Sequence, residues 1–504
     1  MSRTKIFVNE TVIETDAPAG SPLLDFVREE LGLVGTKEGC HEGDCGACAV
    51  VIGECRDGYP RYRAHPSCLA FVGELDGRHL LTIEGLAAAA ERAGLEHGLT
   101  PVMRALLEQN GSQCGFCSPG FVMSLTGWLL EGTDVTEEGA MRAVDGNLCR
   151  CTGYASIRRA ARLLIEEFAD LPTDPVERIA RLVKRGVVPG SALAFARDGH
   201  PAIRHETART AAGGDDHGRA SLPVGGGSDL AIRAPFAAIE AEPRFLRLEE
   251  RLRRLSLGDG FVMVGAATSV RDFFESPVVR AAIPGIEAFE TRFASTLVRN
   301  RATIGGNIAN ASPVADLTPI FLALGARLEL EGPEGTREIA LEGFFTGYRR
   351  TDLHADEVIV EVRFPVLRKG QFFNFEKLSK RENLDIASVN TGALLTLSED
   401  GRAISDARIS AGGVAVVPLL LSATAEFLRG KAVSAETALA AAKVASREVS
   451  PIDDVRGSSV YRREGLARLV VAHLMSLRPG IGNEIASATA GRPADGFRTE
   501  GGLR

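Results

Sequence analysis

In "KIFVNETVIETD" (residues 5–16) two apolar runs rich in β-branched residues, Ile6–Val8 and Val12–Ile13, flank a polar break at Asn9, and this predicts a hairpin of two strands. A helical spacing follows. "SPLLDFVREELGL" places Leu23, Leu24, Phe26, Val27 and Leu31 on one side of a helix that Ser21 and Pro22 open. Strand-like runs return in "CAVVIGE" and "HLLTIEG", so residues 1–85 predict a small α+β unit. From 86 to 170 the spacing is helical: "SPGFVMSLTGWLLEG", "TEEGAMRAVDGN" with Thr136 as cap, and "SIRRAARLLIEEFAD" predict a compact bundle.

Residues 171–220 read as a linker. They hold the basic amphipathic piece "VERIARLVKRG", expected to be a solvated helix, and the polar, Gly-rich "TARTAAGGDDHGRAS". Short β-rich runs with Gly-rich turns occupy 221–365, a second mixed lobe 366–480, and a tail 481–504. The fold class expected is multidomain α+β.

Composition narrows the partners. Against 66 acidic residues stand 58 basic ones, giving a net charge of −8, and no basic run tracks an aromatic ladder, which argues against nucleic acid. The polar, strand-like start has no secretory pattern, and no stretch is apolar enough to span a membrane; a cytoplasmic location is expected.

All nine cysteines precede residue 152. Crowded thiols in a reducing compartment point to metal or redox chemistry rather than disulfides. Cys40, Cys45 and Cys48 in "CHEGDCGAC", with Cys68, follow the C-x4-C-x2-C…C spacing of plant-type [2Fe-2S] sites. Zinc also accepts four thiolates, but zinc ribbons usually pair two short knuckles, whereas here one Gly-rich loop carries three of the cysteines. Cys114 and Cys117 in "CGFC", with Cys149 and Cys151 in "CRC", form a second group; a CxxC alone is shared by redox pairs and zinc knuckles. Cys55 is left over, and reads as a small half-buried hydrophobe.

Further on, "LPVGGGSDL" (Pro223, Val224, Gly225, Gly226, Gly227, Ser228, Asp229, Leu230) offers backbone N–H groups for a pyrophosphate, or a tight structural turn. "RNRATIGGNIANASPVADLTP" adds a second Gly-Gly turn with Thr303, Gly306, Asn307 and the carboxylate of Asp316. "FFTGYRRTDL" carries Tyr348 beside arginines, and "FEKLSKRENLDIASVN" carries Lys377.

Together, "GTKEGCHEGDCGACAV", "QCGFCSPGFVMS", "GNLCRCTGY", "GGGSDL", "VRNRATIGGNIANASPVADLTP", "FFTGYRRT" and "KLSKRENLDIASVN" resemble the small subunits of bacterial xanthine dehydrogenases, in the molybdenum hydroxylase family. The resemblance implies a β-grasp ferredoxin-like [2Fe-2S] domain (1–85), a helical-bundle [2Fe-2S] domain (86–170), an FAD-binding domain (221–365) and a flavoprotein C-terminal domain (366–480). It implies cluster ligation by the two cysteine groups, the second lying nearer the molybdenum. FAD contacts implied are Pro223 to Leu230, Phe293, Thr303, Gly306, Asn307, Asp316, Ile359 and Lys377, with Tyr348 near flavin and nicotinamide. No residue of this chain is expected to catalyse hydroxylation. A molybdopterin-binding large subunit would do so in an α2β2 complex, with NAD+ as final acceptor; aldehyde, nicotinate and carbon monoxide hydroxylases are the related alternatives. Arg150, between two thiols, is expected to face that partner.

Overall fold

A computed structural model of the chain describes residues 3–56, 58–131, 135–198, 221–381 and 383–489. It divides into two compact units. The first comprises 1–251, 269–272 and 294–303; the second comprises 252–268, 273–293 and 304–504.

The first unit opens with the expected hairpin. Strands β1 (Thr4–Val8) and β2 (Thr11–Thr15) pair antiparallel around Asn9, which takes the left-handed φ of 53° that a tight hairpin turn requires. With β3 (Ala49–Arg56), β4 (Tyr59–Pro66) and β5 (His79–Leu81) they form a five-stranded sheet ordered β2-β1-β5-β3-β4. Alternation along these strands serves two cores, because successive side chains point to opposite faces. Ile6, Val8, Val50, Ile52 and Leu80 pack on one face with Leu23, Phe26 and Val27. Phe7, Ala49, Val51 and Leu81 pack on the other with the apolar residues of the helices. Helix formation begins at Leu23 rather than at Ser21–Pro22, without a side-chain cap, and the turn widens over Phe26–Glu30.

The bundle includes helices Pro101–Glu108, Ser118–Glu131, Glu137–Ala143 and Ala155–Glu167, and Thr136 caps the third through Gly139 N–H as expected. The expected linker departs from the sequence reading in its described part. Residues 175–184 and 190–198 are helices, and Ile179, Leu182, Val187, Val188, Ala192 and Phe195 join the bundle core. Arg178, which reads as surface charge, is buried and donates to the backbone carbonyls of Leu129 and Pro172 at 3.1 and 2.8 Å, satisfying acceptors beyond the helix ladder. Residues 199–220 lie outside the described residues. The unit is completed by β6 (Leu222–Val224) and β7 (Pro243–Phe245), a parallel pair.

In the second unit β8 (Leu255–Gly258), β9 (Phe261–Gly265), β10 (Arg327–Gly332), β11 (Gly335–Ala340) and a later strand form one sheet. A short hairpin, β12 (Phe345–Gly347) and β13 (Arg350–Thr351), precedes that strand, β14 (Val358–Pro365). The sheet order is β11-β10-β14-β9-β8. A C-terminal lobe sets β15 (Gln371–Leu378), β16 (Val389–Leu397), β17 (Ile404–Gly412) and β18 (Leu419–Leu420) against helices Ser422–Leu428, Ala435–Glu448 and Ser459–Leu477. The expected tail departs as well: Gly480–Thr489 is helical, and Ile481 is buried in the lobe's core.

His473 anchors that lobe. Asn374 Nδ2 donates to its Nδ1 at 2.9 Å, and its Nε2 lies 2.8 Å from Thr391 Oγ1. Burial, with Arg292 nearby, holds the imidazole neutral and pulls its pKa down to about 3. The unfolded chain takes a proton near pH ~6.5 that the folded chain refuses, so this stabilisation is present at neutral pH and is lost as pH falls. Substituting His473→Leu is expected to lower the midpoint of thermal unfolding at neutral pH. The gap between variant and parent should narrow as the pH is taken from about 7 to about 4; a constant gap would remove the role given to His473.

Candidate metal and cofactor sites

Cys40, Cys45 and Cys48 lie on the loop that enters β3, and Cys68 lies on the short turn Ser67–Leu69 that leaves β4. The sheet therefore closes one loop over another. Cys48 and Cys68 sulfurs are 3.4 Å apart, and Cys40 is hydrogen-bonded to Cys45. N–H groups of Glu42 and Asp44 point at Cys40 Sγ from 3.4 and 3.2 Å. With the Cys45 thiol they pull Cys40 down to about 5, burial opposing, so a thiolate is favoured there. Two glycines are required by this loop. Gly43 has a φ of 83°, and a Cβ on Gly39 would come within 2.8 Å of Cys45 Sγ.

The second group forms where two helices begin. Cys114 and Cys117 precede Ser118–Glu131, and Cys149 and Cys151 precede Ala155–Glu167. Here too the thiols pair, Cys117 with Cys149 and Cys114 with Cys151. Burial pushes Cys117 up to about 12. Burial also opposes ionisation of Cys149, but the Thr152 hydroxyl, donating at 3.2 Å, and nearby N–H groups hold it below the usual thiol range. Both helix N-termini add favourable dipoles for thiolate charge.

Each group thus offers two pairs of sulfurs. A binuclear [2Fe-2S] cluster needs two thiolates on each iron, and the donor sets fit it. Between the groups the backbone is joined directly: Leu148 N–H donates to Cys45 C=O at 3.0 Å, and Asn147 Nδ2 donates to Gly46 C=O at 3.2 Å. Asn147 escaped the sequence reading, although it lies inside "GNLCRCTGY". Cys55 is exposed on β3, more so than expected, and joins neither group; Arg150 is exposed.

The glycine loop Gly225–Ser228 follows β6 in the first unit. Gly226 and Gly227 are held against protein: a Cβ would meet Arg301 C=O at 2.3 Å and the Phe71 ring at 2.7 Å. Tight packing of a structural turn is therefore part of why glycines stand here. Thr303 lies in the same unit, at an isolated bridge to Ser269. Arg301, also missed, is 1% exposed and places two donors on Gly226 C=O, Nε at 3.2 Å and Nη2 at 2.9 Å.

The second unit holds the remaining expected residues. Gly306 and Asn307 lie on the short helix Ile304–Ala309, and Asn307 Oδ1 is buried without a hydrogen-bond partner, an acceptor left for a ligand's donor. Tyr348, 61% exposed, sits between β12 and β13 with the Arg349 guanidinium 5.9 Å from its ring. Ile359 is buried within β14, opposite Leu330, and Phe293 is buried at the C-terminal end of the turn Ile286–Arg292.

Asp316, Lys377 and Asn390 make one polar knot. Lys377 and Asn390 are directly opposed on β15 and β16, so they share a face. Lys377 Nζ lies 2.7 Å from Asp316 Oδ2, and Asn390 Nδ2 donates to Asp316 Oδ1 at 2.7 Å. Lys377 also donates to the carbonyls of Arg292 and Asp385, both at 2.7 Å. Its three N–H groups are all taken, which makes it a holder of Asp316 first. Burial raises Asp316 despite the ammonium beside it. Removing the ammonium would leave a buried carboxylate unpaired. Lys377→Met is expected to cost about 3–5 kcal/mol in chemical denaturation, and adding Asp316→Asn should return much of it; additive losses would mean the pair is not coupled.

Comparison with known proteins follows the same order of parts. Residues 6–72 match the 2Fe-2S iron-sulfur cluster binding domain, 82–162 the [2Fe-2S] binding domain, 204–367 the FAD binding domain in molybdopterin dehydrogenase, and 375–477 the CO dehydrogenase flavoprotein C-terminal domain. Xanthine dehydrogenase 1 of Arabidopsis thaliana is 29% identical over 525 residues, covering 90% of this chain and 38% of its own length. Xanthine dehydrogenase of Blastobotrys adeninivorans is 30% identical over 528 residues, covering 86% of this chain and 37% of its own length. The chain thus spans little more than a third of these relatives. Among solved structures, a carbon monoxide dehydrogenase from Hydrogenophaga pseudoflava is 32% identical, covers 51% of this chain and 88% of its own, and has a TM-score of 0.47. With two [2Fe-2S] domains, an FAD-binding domain and a flavoprotein C-terminal domain in sequence, the chain belongs to the molybdenum hydroxylase family.

Proposed function

We propose that this chain is the electron-transfer subunit of a xanthine dehydrogenase. In this reading electrons from a molybdenum centre on a large partner subunit reach NAD+ by way of two [2Fe-2S] clusters and FAD, as hypoxanthine and xanthine are oxidised to urate. Bound, the clusters supply one-electron steps and FAD couples them to hydride transfer. The observation that carries the reading is the pair of four-cysteine groups joined through Leu148 N–H and Cys45 C=O.

The chain's own contribution is spacing and charge. Cys114, Cys117, Cys149 and Cys151 would hold the cluster nearer the partner, a reading supported by the exposure of Cys114 and Cys151; Cys40, Cys45, Cys48 and Cys68 would hold the other. For FAD the residues are Pro223 to Leu230, Phe293, Thr303, Gly306, Asn307, Asp316, Ile359 and Lys377, and Tyr348 attends flavin and nicotinamide. The xanthine type is favoured over aldehyde, nicotinate or carbon monoxide types by the fusion of iron-sulfur and flavin parts in one chain, and by xanthine dehydrogenases matching along most of it. The match of the C-terminal domain to a CO dehydrogenase flavoprotein supports the second reading, a related hydroxylase. An α2β2 complex in the cytoplasm completes the proposal; among the described residues no helix is long and apolar enough to cross a membrane.

Anaerobically purified chain is expected to carry about four iron and four sulfide with one FAD, and NADH should bleach the flavin. Zinc in place of iron would overturn the reading. Copurified with its large subunit, the chain should support NAD+ reduction by xanthine; turnover of carbon monoxide or an aldehyde instead would favour the second reading.

A further inference from the structure

The glycine loop shares a core with the first cysteine group. Cys48, Cys68, Leu69 and Phe71 pack in one apolar cluster with Val224 of β6 and Phe245 of β7, and the Phe71 and Phe245 rings lie 6.1 Å apart. Gly227 rests on this surface. Its φ is 71°, and a Cβ there would stand 2.7 Å from the Phe71 ring and 3.2 Å from the carbonyl oxygen of Leu69, the residue after Cys68.

One side chain holds the loop from behind. Arg301 Nη2 pairs with Glu74 Oε1 at 2.6 Å while Arg301 also grips Gly226 C=O, and both partners of the ion pair are 1% exposed. Glu74 belongs to the turn Val72–Leu75, which follows directly on Phe71. The guanidinium therefore bridges the glycine loop to the segment that carries Cys68. Arg247 Nη1 stands 3.9 Å from the second carboxylate oxygen of Glu74 and donates through Nη2 to Asn300 C=O, so the pair is enclosed by further buried charge.

We propose that Arg301 is a positioning residue: it seats Gly226 and Gly227 on the Cys68 turn and thereby fixes the spacing between the first cluster and a flavin bound at the loop. The inference rests on the reading of Cys40, Cys45, Cys48 and Cys68 as cluster ligands and of the loop as part of the flavin site. Electron transfer falls steeply with distance, so a loop that drifts off the turn slows transfer even when both cofactors stay bound. Neither a fold-holding ion pair nor a flavin contact alone has that consequence.

The test uses the full chain loaded with clusters and FAD. NADH gives a hydride to FAD with uptake of one proton; the two electrons then leave, one to each cluster, with release of two protons. Rapid mixing follows flavin bleaching and cluster bleaching separately. Arg301→Met leaves Glu74 with only the Arg247 guanidinium at 3.9 Å and should lower stability. The double variant Arg301→Met/Glu74→Met removes both charges, so stability should largely return, since apolar replacement of a buried pair is often neutral. If Arg301 positions the loop, the double variant still lacks the donors to Gly226 C=O. Cluster reduction should then remain on the order of tenfold or more slower, with weaker FAD retention measured by fluorescence titration. Recovery of the transfer rate together with stability would overturn the inference, leaving Arg301 as a mere partner for Glu74. Absence of iron or FAD from the parent chain would instead overturn the underlying reading, and the inference with it.

Discussion

Two guanidinium groups buried two residues apart set the arrangement of the first unit. Arg299 is fully enclosed, pairs with Asp145 at 2.8 Å and donates to Ala294 C=O at 3.0 Å. Arg301 pairs with Glu74 and Gly226. Between them Asn300 donates to Ala64 C=O at 2.8 Å. One short segment, 294–303, thus touches the helical bundle, the ferredoxin-like sheet and the glycine loop. Taking such charges out of water is costly unless every partner is in place, so few other packings of these parts are tolerated. A second network repeats the device: Asp272 lies among Arg56, Arg61 and Arg63, whose charges outweigh burial and keep its carboxyl well below the usual range, and Glu131 is shared by Arg63 and Arg271.

Much of this was legible in the sequence where the information is local. Cysteine spacing is local, because three cysteines of the first group come from one loop, and so are the Asn9 turn and the Thr136 cap. What holds the parts together is not. Glu74 and Arg301 are 227 positions apart, and no periodicity connects them. Arg299 and Arg301 lie inside a stretch read for its glycines, while their own role needed the fold. Polar letters also misled. The charges of "VERIARLVKRG" predict a solvated face, yet Arg178 turns inward to cap carbonyls and Ile179 and Leu182 fill the bundle core. Lys377 stands out in the sequence, but its tie to Asp316 and its cross-strand partner Asn390 required the fold and the β15–β16 register.

The two cysteine groups give the architecture its direction. Exposure falls from Cys114 and Cys151 at the surface to Cys48 and Cys68 in the core that carries the glycine loop, and the Leu148–Cys45 hydrogen bond links the groups along the way. On the proposed electron path, eight cysteines divide into two independent clusters. Electron paramagnetic resonance of the dithionite-reduced chain, compared among the parent, Cys40→Ser and Cys149→Ser, decides between two clusters and one. Two overlapping [2Fe-2S] spectra are expected in the parent, with each variant losing or altering one and sparing the other. Loss of both spectra in a folded single variant, or one spectrum in the parent, would rule out two independent clusters.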